Sequence, residues 1–205
     1  MSQSLSSLYE PIMRQALTPI ASALKSHLED ILSDVERIDN ISTRAKSIER
    51  FAAKAAKTHE DGTPRYGNPL AQIQDQIGAR ITVLYLTDVQ NVKLAVRRYF
   101  QAIEWQEKRP ERDEEFGYFG EHFILKLPDD VIPDGVDNAP EFFELQIKTL
   151  FQHAWSEASH DIGYKAPRKL KPLEVRQMAF SAAQAWGADQ IFQELAQSIV
   201  PDNDV

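Results

Sequence analysis

Two carboxylates, Asp75 and Glu144, stand beside predicted β-strands in distant parts of the sequence. Asp75 comes shortly before the apolar run 79–86, and Glu144 lies within the run 141–148. Carboxylates on neighbouring strands are a common way to hold magnesium against a nucleoside triphosphate, because this hard ion prefers oxygen ligands. Arg44 and Lys46, further upstream, are suitable partners for phosphate groups. The pattern indicates magnesium-dependent transfer of a phosphate group.

The predicted strands around these residues each have a polar face. In 141–148 the side chains alternate, so that Glu144, Gln146 and Lys148 share one face opposite an apolar one. In 118–126, Tyr118 and His122 share a face in the same way. Such alternation usually means a core face and a solvent-exposed face. Two strands with aromatic or acidic polar sides also fit the floor of a ligand site.

Cations are concentrated in a short segment that we predict to be a helix. Ser42 or Thr43 can provide its N-cap, and the helix is expected to run to about Lys57. The segment contains one acid, Glu49, and five cations: Arg44, Lys46, Arg50, Lys54 and Lys57. A charge run is usually a solvated face, but this chain carries a formal net charge of -8. The segment therefore indicates an anionic partner such as a triphosphate.

The remaining periodicities predict an α+β domain, a small mixed β-sheet flanked by helices, that occupies residues 1–205. An N-terminal helix is expected at about 5–37, interrupted near Pro11 and Pro19. The other predicted elements are a strand at 79–86, a helix from about 88 to 102, strands at 103–108, 118–127 and 141–148, and helices at 149–163 and 172–198.

Composition limits the classes of protein to consider. Hydrophobic residues make up 42% of the chain, which is too many for a disordered protein. Cysteine is absent, so disulfides and thiolate zinc sites are excluded. Neither a signal peptide nor an apolar stretch of the ~20 residues needed to span a membrane is visible. We expect a cytoplasmic enzyme without a membrane partner. The negative charge argues against a broad nucleic-acid footprint.

Five ordered motifs resemble the synthetase domain of the RelA/SpoT family, specifically its stand-alone small alarmone synthetases. The resemblance covers about residues 40–166. The motifs are Arg44-x-Lys46 with Lys54, Asp75-x-x-Gly78-x-Arg80, Gly117-Tyr118-x-x-x-His122, Glu144-x-Gln146-Ile147-Lys148-Thr149, and Ala154-Trp155 with His160, Tyr164 and Lys165. The resemblance implies a nucleotidyltransferase-like mixed sheet and transfer of pyrophosphate from ATP to the 3′-hydroxyl of GDP or GTP.

The resemblance also implies roles on the ATP side of the site. Arg44 and Arg80 would sandwich the adenine, since guanidinium planes stack on bases. Lys46 and Lys54 would hold the phosphates of ATP.

Further roles follow for the metal and for the acceptor nucleotide. Asp75 would ligate Mg²⁺, and Glu144 would share the metal or take the proton from the attacking hydroxyl. Tyr118 would stack on the acceptor base, and His122 and Gln146 would position acceptor or phosphate groups.

The sequence departs from the family pattern in ways that leave the acceptor open. Arg50 stands where the family usually has Ser, and Lys148 where it has Arg. The segment 109–116 replaces a loop that usually bears Lys and Asn, and 119–121 departs from the usual continuation after the tyrosine. Besides GDP or GTP, the acceptor can be an adenosine nucleotide or, as in a toxin branch of the family, the 3′ end of tRNA. A non-catalytic nucleotide sensor is a further alternative, which the retained Asp75, Glu144 and Arg80 disfavour.

Three other features carry weaker expectations. His153, Glu157 and His160 share a helical face, but packing and hydrogen bonding are favoured over a metal site. The terminal helices are expected to support a homo-oligomer. A basic cluster that could receive an RNA stem follows the last motif: Lys165, Arg168, Lys169 and Lys171. The chain is too short to add the family's all-helical hydrolase domain.

Overall fold

The computed structural model describes residues 4–112, 115–117, 119–136, 139–165 and 167–199. Its strands are β1 (Ile38–Ala45), β2 (Ile77–Val83), β3 (Ala102–Lys108), β4 (Gly120–Lys126) and β5 (Phe142–Thr149). Its α-helices are α1 (Leu5–Ile12), α2 (Thr18–Ile31), α3 (Ile48–Ala55), α4 (Pro69–Gln72), α5 (Leu86–Tyr99), α6 (Leu150–Lys165) and α7 (Pro172–Ile199). A π-helical turn covers Met13–Leu17, and 3₁₀ turns cover Gln74–Gln76 and Asp129–Val131.

The five strands form one mixed sheet in the order β1-β2-β5-β4-β3. β2 and β5 are parallel, and all other neighbours are antiparallel. Helices pack on the sheet, which confirms the predicted α+β class. None of the helices in the described ranges is long and apolar enough to serve as a membrane span.

One face of the sheet forms the core. Alternate side chains of β2, β4 and β5 are fully or almost fully buried there, among them Ile81, Phe123 and Leu145. Burying each such side chain contributes about 1.5–3 kcal/mol. α2 lies against β1 on this face, where the Thr43 hydroxyl donates to the Ala21 carbonyl at 2.6 Å. The opposite face of the sheet is left for polar side chains.

The N-terminal helical run ends at Ile31 rather than near residue 37, and it contains the π-helical turn between α1 and α2. Pro19 has no N–H to continue the regular α pattern, and the wider turn bonds Thr18 to the Met13 carbonyl instead. Tyr9, in α1, stacks on Phe51 of α3 with ring centroids 3.8 Å apart. The first helix is thereby tied to the segment that follows β1.

The predicted helix from Ser42 or Thr43 to Lys57 is wrong. Ser42 and Thr43 lie within β1, and the helix in this region is the shorter α3, capped by Ser47. The Ser47 hydroxyl accepts from the Arg50 N–H at 3.3 Å. β1 is a strand because it pairs along its length with β2, a long-range contact that outweighs a local capping signal. Consequently Arg44 and Lys46 do not belong to one cationic helix with Lys54.

We predict that the protein self-associates through α7. Ile191 and Leu195 lie one helical turn apart and are 58% and 47% exposed, although both are apolar. Replacing both residues with Glu is expected to shift the mass in light scattering to that of a monomer, 23.3 kDa. Gln184→Glu, an exposed change on the same helix, should leave the assembly intact. A wild-type mass of one chain at micromolar concentration would contradict the prediction.

Candidate active site

The parallel pairing of β2 with β5 sets the centre of the polar face. It places Gly78 opposite Glu144, while β1 places Arg44 on the other side of Gly78. A side chain at Gly78 would meet no atom within 4 Å, so the space between Arg44 and Glu144 is open. The glycine thus provides a floor on which a ligand can approach the backbone.

The next row of the sheet adds further polar side chains to this face. Arg80 lies opposite Ser42 on β1 and Gln146 on β5, and Gln146 in turn lies opposite His122 on β4. Sheet register alone therefore brings Arg80, His122, Gln146 and Glu144 together.

Two adjoining cavities open on this face. One, of 110 Å³, is lined by residues including Arg80 and Gln146. The other, of 150 Å³, is lined by residues including Lys46, Arg50 and Asp75. Arg44, Gly78 and Glu144 line both cavities. The two cavities form a cleft, rich in cations, with Glu144 at the centre.

Asp75 lies in the 3₁₀ turn immediately before β2, and two lysines hold its carboxylate. Lys46 Nζ is 2.8 Å from Oδ2, and Lys54 Nζ is 2.9 Å from Oδ1. Burial raises the pKa of Asp75, but the two lysines outweigh burial and lower the pKa below its usual value. Asp75 is therefore ionised at neutral pH.

Lys46 is positioned by its backbone. Its N–H donates to the Gln76 carbonyl at 2.8 Å, and its own carbonyl accepts from the Tyr9 hydroxyl at 3.0 Å. Burial, and secondly the charge of Asp75, raise the pKa of Tyr9, so its hydroxyl stays protonated and able to donate. α1 thus contributes to the position of a site cation.

Glu144 is bound on both carboxylate oxygens. His122 Nδ1 lies 3.0 Å from Oε1, and the Gln146 amide donates to Oε2 at 3.3 Å. Burial raises the pKa of Glu144, but the contact with His122 outweighs it, and the pKa is lowered. An ionised carboxylate only accepts hydrogen bonds, so His122 carries a proton on Nδ1.

Arg80 is held by α6. Its guanidinium lies 2.8 Å from Glu157 Oε1 and 3.1 Å from His153 Nδ1. Burial and Arg80 both lower the pKa of His153, and a neutral ring can accept from Arg80. His153 and Glu157 therefore each serve as a hydrogen-bond partner of Arg80. Over the described ranges there is no group of three or more His, Cys, Asp or Glu residues placed to hold a metal.

Lys148 was not among the predicted site residues, yet it lies buried on the same face. It is 2% exposed, and its ammonium donates to the Ser156 hydroxyl of α6 at 3.1 Å. Burial, and secondly Arg80, lower the pKa of Lys148 to about 7. The alternation of β5 already places Lys148 on the face of Glu144, and this is the signal available in the sequence.

The structure brings together eight of the nine predicted site residues on or beside the polar face: Arg44, Lys46, Lys54, Asp75, Arg80, His122, Glu144 and Gln146. Tyr118, predicted to stack on the acceptor base, lies outside the described residues. In the segment before it, Arg112 Nε lies 3.7 Å from Glu115 Oε1, and both side chains are exposed.

A family model described as a region found in RelA / SpoT proteins matches residues 43–169, a range that contains nearly every residue of this cleft. The chain belongs to the RelA/SpoT family.

A named relative and several solved structures are similar to this chain over most of its length. The chain is 28% identical over 169 residues to GTP pyrophosphokinase YjbM of Bacillus subtilis, covering 77% of this chain and 74% of that protein. The structure is similar to a GTP pyrophosphokinase family protein from Streptococcus pneumoniae, with a TM-score of 0.74 and 21% identity over 97% of this chain and 96% of that one. It is also similar to small alarmone synthetase 1 from Bacillus subtilis bound to its product pppGpp, with a TM-score of 0.72 and 21% identity over 95% and 99% of the two chains. These similarities show that this chain has the same fold as the two solved structures.

We predict that Lys148 makes the stability of the protein increase from about pH 7 to about pH 9. Its pKa of about 7 in the folded protein lies below the ordinary value of 10.5, so the unfolded chain binds more protons in this range. The free energy of unfolding then rises with pH. Lys148→Met should reduce this rise in urea denaturation at the two pH values.

Lys126→Met, at an exposed position of β4, is the control and should keep the wild-type pH dependence. An unchanged dependence in Lys148→Met would show that the buried ammonium is not its source.

Proposed function

We propose that the protein is a magnesium-dependent pyrophosphokinase that transfers pyrophosphate from ATP to the 3′-hydroxyl of GDP or GTP. The observation that carries the proposal is the cleft itself, in which ionised Asp75 and Glu144 line a cavity surrounded by Arg44, Lys46 and Arg50. Cations suit a triphosphate, and two ionised carboxylates suit a divalent ion. Family membership and the activity in the name of the relative YjbM support the same reaction.

The carboxylates present fit Mg²⁺. This ion is usually bound through one or two carboxylates together with substrate phosphates, and two carboxylates are what the cleft offers. Both are ionised, and Mg²⁺ would supply positive charge that neutralises the phosphates during transfer. Asp75 and Glu144 would hold the ion.

On the ATP side, the chain supplies alignment and charge. Arg44 and Arg80 lie on neighbouring strands of the polar face, where their guanidinium planes would flank the adenine. Lys46 and Lys54, paired with Asp75 in this structure, would turn toward the phosphates. Rotation of the two lysine side chains alone would let both ammonium groups bind a ligand with several anionic oxygens.

In the reaction, the acceptor 3′-oxygen forms a bond to the β-phosphorus of ATP. The bond between that phosphorus and the oxygen bridging to the α-phosphate breaks, and AMP leaves. The hydroxyl proton needs an acceptor, and Glu144 is ionised and central. Glu144 would accept this proton, and its contacts with His122 and Gln146 would hold the carboxylate in place while the bond to phosphorus forms.

A free nucleotide is the favoured acceptor rather than tRNA. Arg168 of the basic cluster is bound by Glu174 through two hydrogen bonds of 2.8 and 2.7 Å, which leaves it less available for phosphate. Lys169 and Lys171 are exposed, while the side chain of Lys165 lies outside the described residues. The formal charge of -8 also opposes binding of a polyanion. Relatives of known structure include small alarmone synthetase 1 bound to pppGpp, a guanosine nucleotide.

The first prediction for this reaction concerns the carboxylates. Asp75→Asn and Glu144→Gln are each expected to lower pyrophosphate transfer at least about 100-fold, because the amides keep the shape and lose the charge. Product formation from labelled ATP and GDP measures the effect, and circular dichroism checks the fold. Asp61→Asn, in an exposed loop, should behave as wild type. Near-normal transfer by either site variant would overturn the assignment, and ATP binding without transfer in the wild type would indicate a nucleotide sensor.

The second prediction separates the two substrates. Arg44→Ala and Arg80→Ala should weaken a non-hydrolysable ATP analogue about tenfold or more while affecting GDP less. His122→Ala should do the reverse, because His122 lies on β4, beyond Glu144 from the arginines. Isothermal titration with each ligand is the measurement. Equal losses for both ligands in all three variants would refute separate subsites.

The third prediction addresses the acceptor. Reversing the charge of Arg168, Lys169 and Lys171 is expected to leave transfer to GDP unchanged at low and high salt. Labelling is measured with GDP, GTP, ATP and tRNA offered in turn. If tRNA is labelled, with steep salt dependence and loss of labelling in the triple variant, the free-nucleotide acceptor is wrong.

A further inference from the structure

A larger cavity lies outside the cleft, where the chain enters β2 and β5. Its volume is 530 Å³, within the range of small-molecule sites. The partly buried side chains of Ile12 and Leu70 form an apolar part of its wall, and Phe142 contributes an aromatic ring.

The chemistry of the wall differs from that of the cleft. The residues that line this cavity, all within the described ranges, include no lysine, arginine or histidine. The polar groups are the amides of Asn68, Gln74 and Gln76 and the carboxylate of Glu141. Without a cation, the wall offers nothing to balance a phosphate group. Amides and one carboxylate instead match a neutral ring with both donors and acceptors on its edge.

The wall is held in place by hydrogen bonds. The Gln76 amide donates to the Leu70 carbonyl at 2.7 Å and to the Ile73 carbonyl at 3.1 Å. These bonds fix the segment between α4 and β2, so the cavity exists without rearrangement. Gln74 and Gln76 are also the two neighbours of Asp75, so an occupant would contact the turn that carries this carboxylate.

We propose that this cavity binds an uncharged nitrogen heterocycle of nucleobase size, such as a free nucleoside. Its flat ring would lie against Ile12, Leu70 and Phe142. Its amine or ring N–H would donate to Glu141, and its ring edge would pair with the amides of Asn68 or Gln74. The site differs from the cleft in charge and in location, and it does not depend on the reaction proposed for the cleft.

The test measures binding of adenosine and guanosine by isothermal titration, with and without saturating amounts of a non-hydrolysable ATP analogue and GDP, which together would occupy both sides of the cleft. We expect one of the nucleosides to bind in both conditions, and its 5′-monophosphate to bind at least about tenfold more weakly to the saturated protein. Ala71→Trp, at an exposed lining position, should fill the cavity and lower nucleoside affinity by a similar factor. Ala102→Trp, exposed on β3 and outside the lining, is the matched control and should bind as wild type.

Glu141→Lys provides a second variant with a directional result. A cation in the wall should improve binding of the monophosphate relative to the nucleoside. Nucleoside binding that is absent from the saturated wild type, or equal in wild type and Ala71→Trp, would overturn the proposal. The nucleoside affinities of Ala71→Trp and Ala102→Trp can be compared whether or not the ATP analogue binds. A failure of the reaction proposed for the cleft would therefore not be mistaken for a failure of this proposal.

Discussion

The cost of burying Asp75 and Glu144 is the constraint on which the cleft depends. Burial alone would raise both pKa values and favour neutral carboxyls, which bind neither magnesium nor ammonium groups well. Lys46 and Lys54 reverse this for Asp75, and His122 reverses it for Glu144. The compensating groups come from different parts of the chain, since Lys46 directly follows β1, Lys54 lies in α3 and His122 lies in β4.

The cations of the cleft are held with different degrees of freedom. Arg80 is fixed by Glu157 and His153 of α6, and Lys148 by Ser156 of the same helix. Lys54 is bound through Asp75, a partner that an incoming ligand can share. The fixed guanidinium of Arg80 suits a planar ligand group, because groups that are already fixed reduce the entropy lost on binding. Lys54 can adapt to the charge of another part of the ligand.

Much of the cleft can be predicted from the sequence because strand periodicity is a strong signal. The alternation of β5 places Glu144, Gln146 and Lys148 on one face, and the order of the motifs adds Asp75 and Arg80 to the same site. β1 cannot be recognised locally. Its serine and threonine have the side chains of helix caps, and only the pairing with β2 makes them strand residues. The contacts of Arg80 with α6 are also beyond sequence reasoning, because they depend on how that helix crosses the sheet.

Phe100, at the end of α5, separates the residues of the cleft into two groups along the sequence. The chain before it contains Arg44, Lys46, Lys54, Asp75 and Arg80, and the chain after it contains His122, Glu144, Gln146 and Lys148. The two parts meet in the parallel ladder between β2 and β5. Two separately expressed halves, cut at this point, would each carry one carboxylate and one side of the cleft. Fused to two other proteins, they would form a split reporter in which the cleft re-forms only when those proteins bring the halves together.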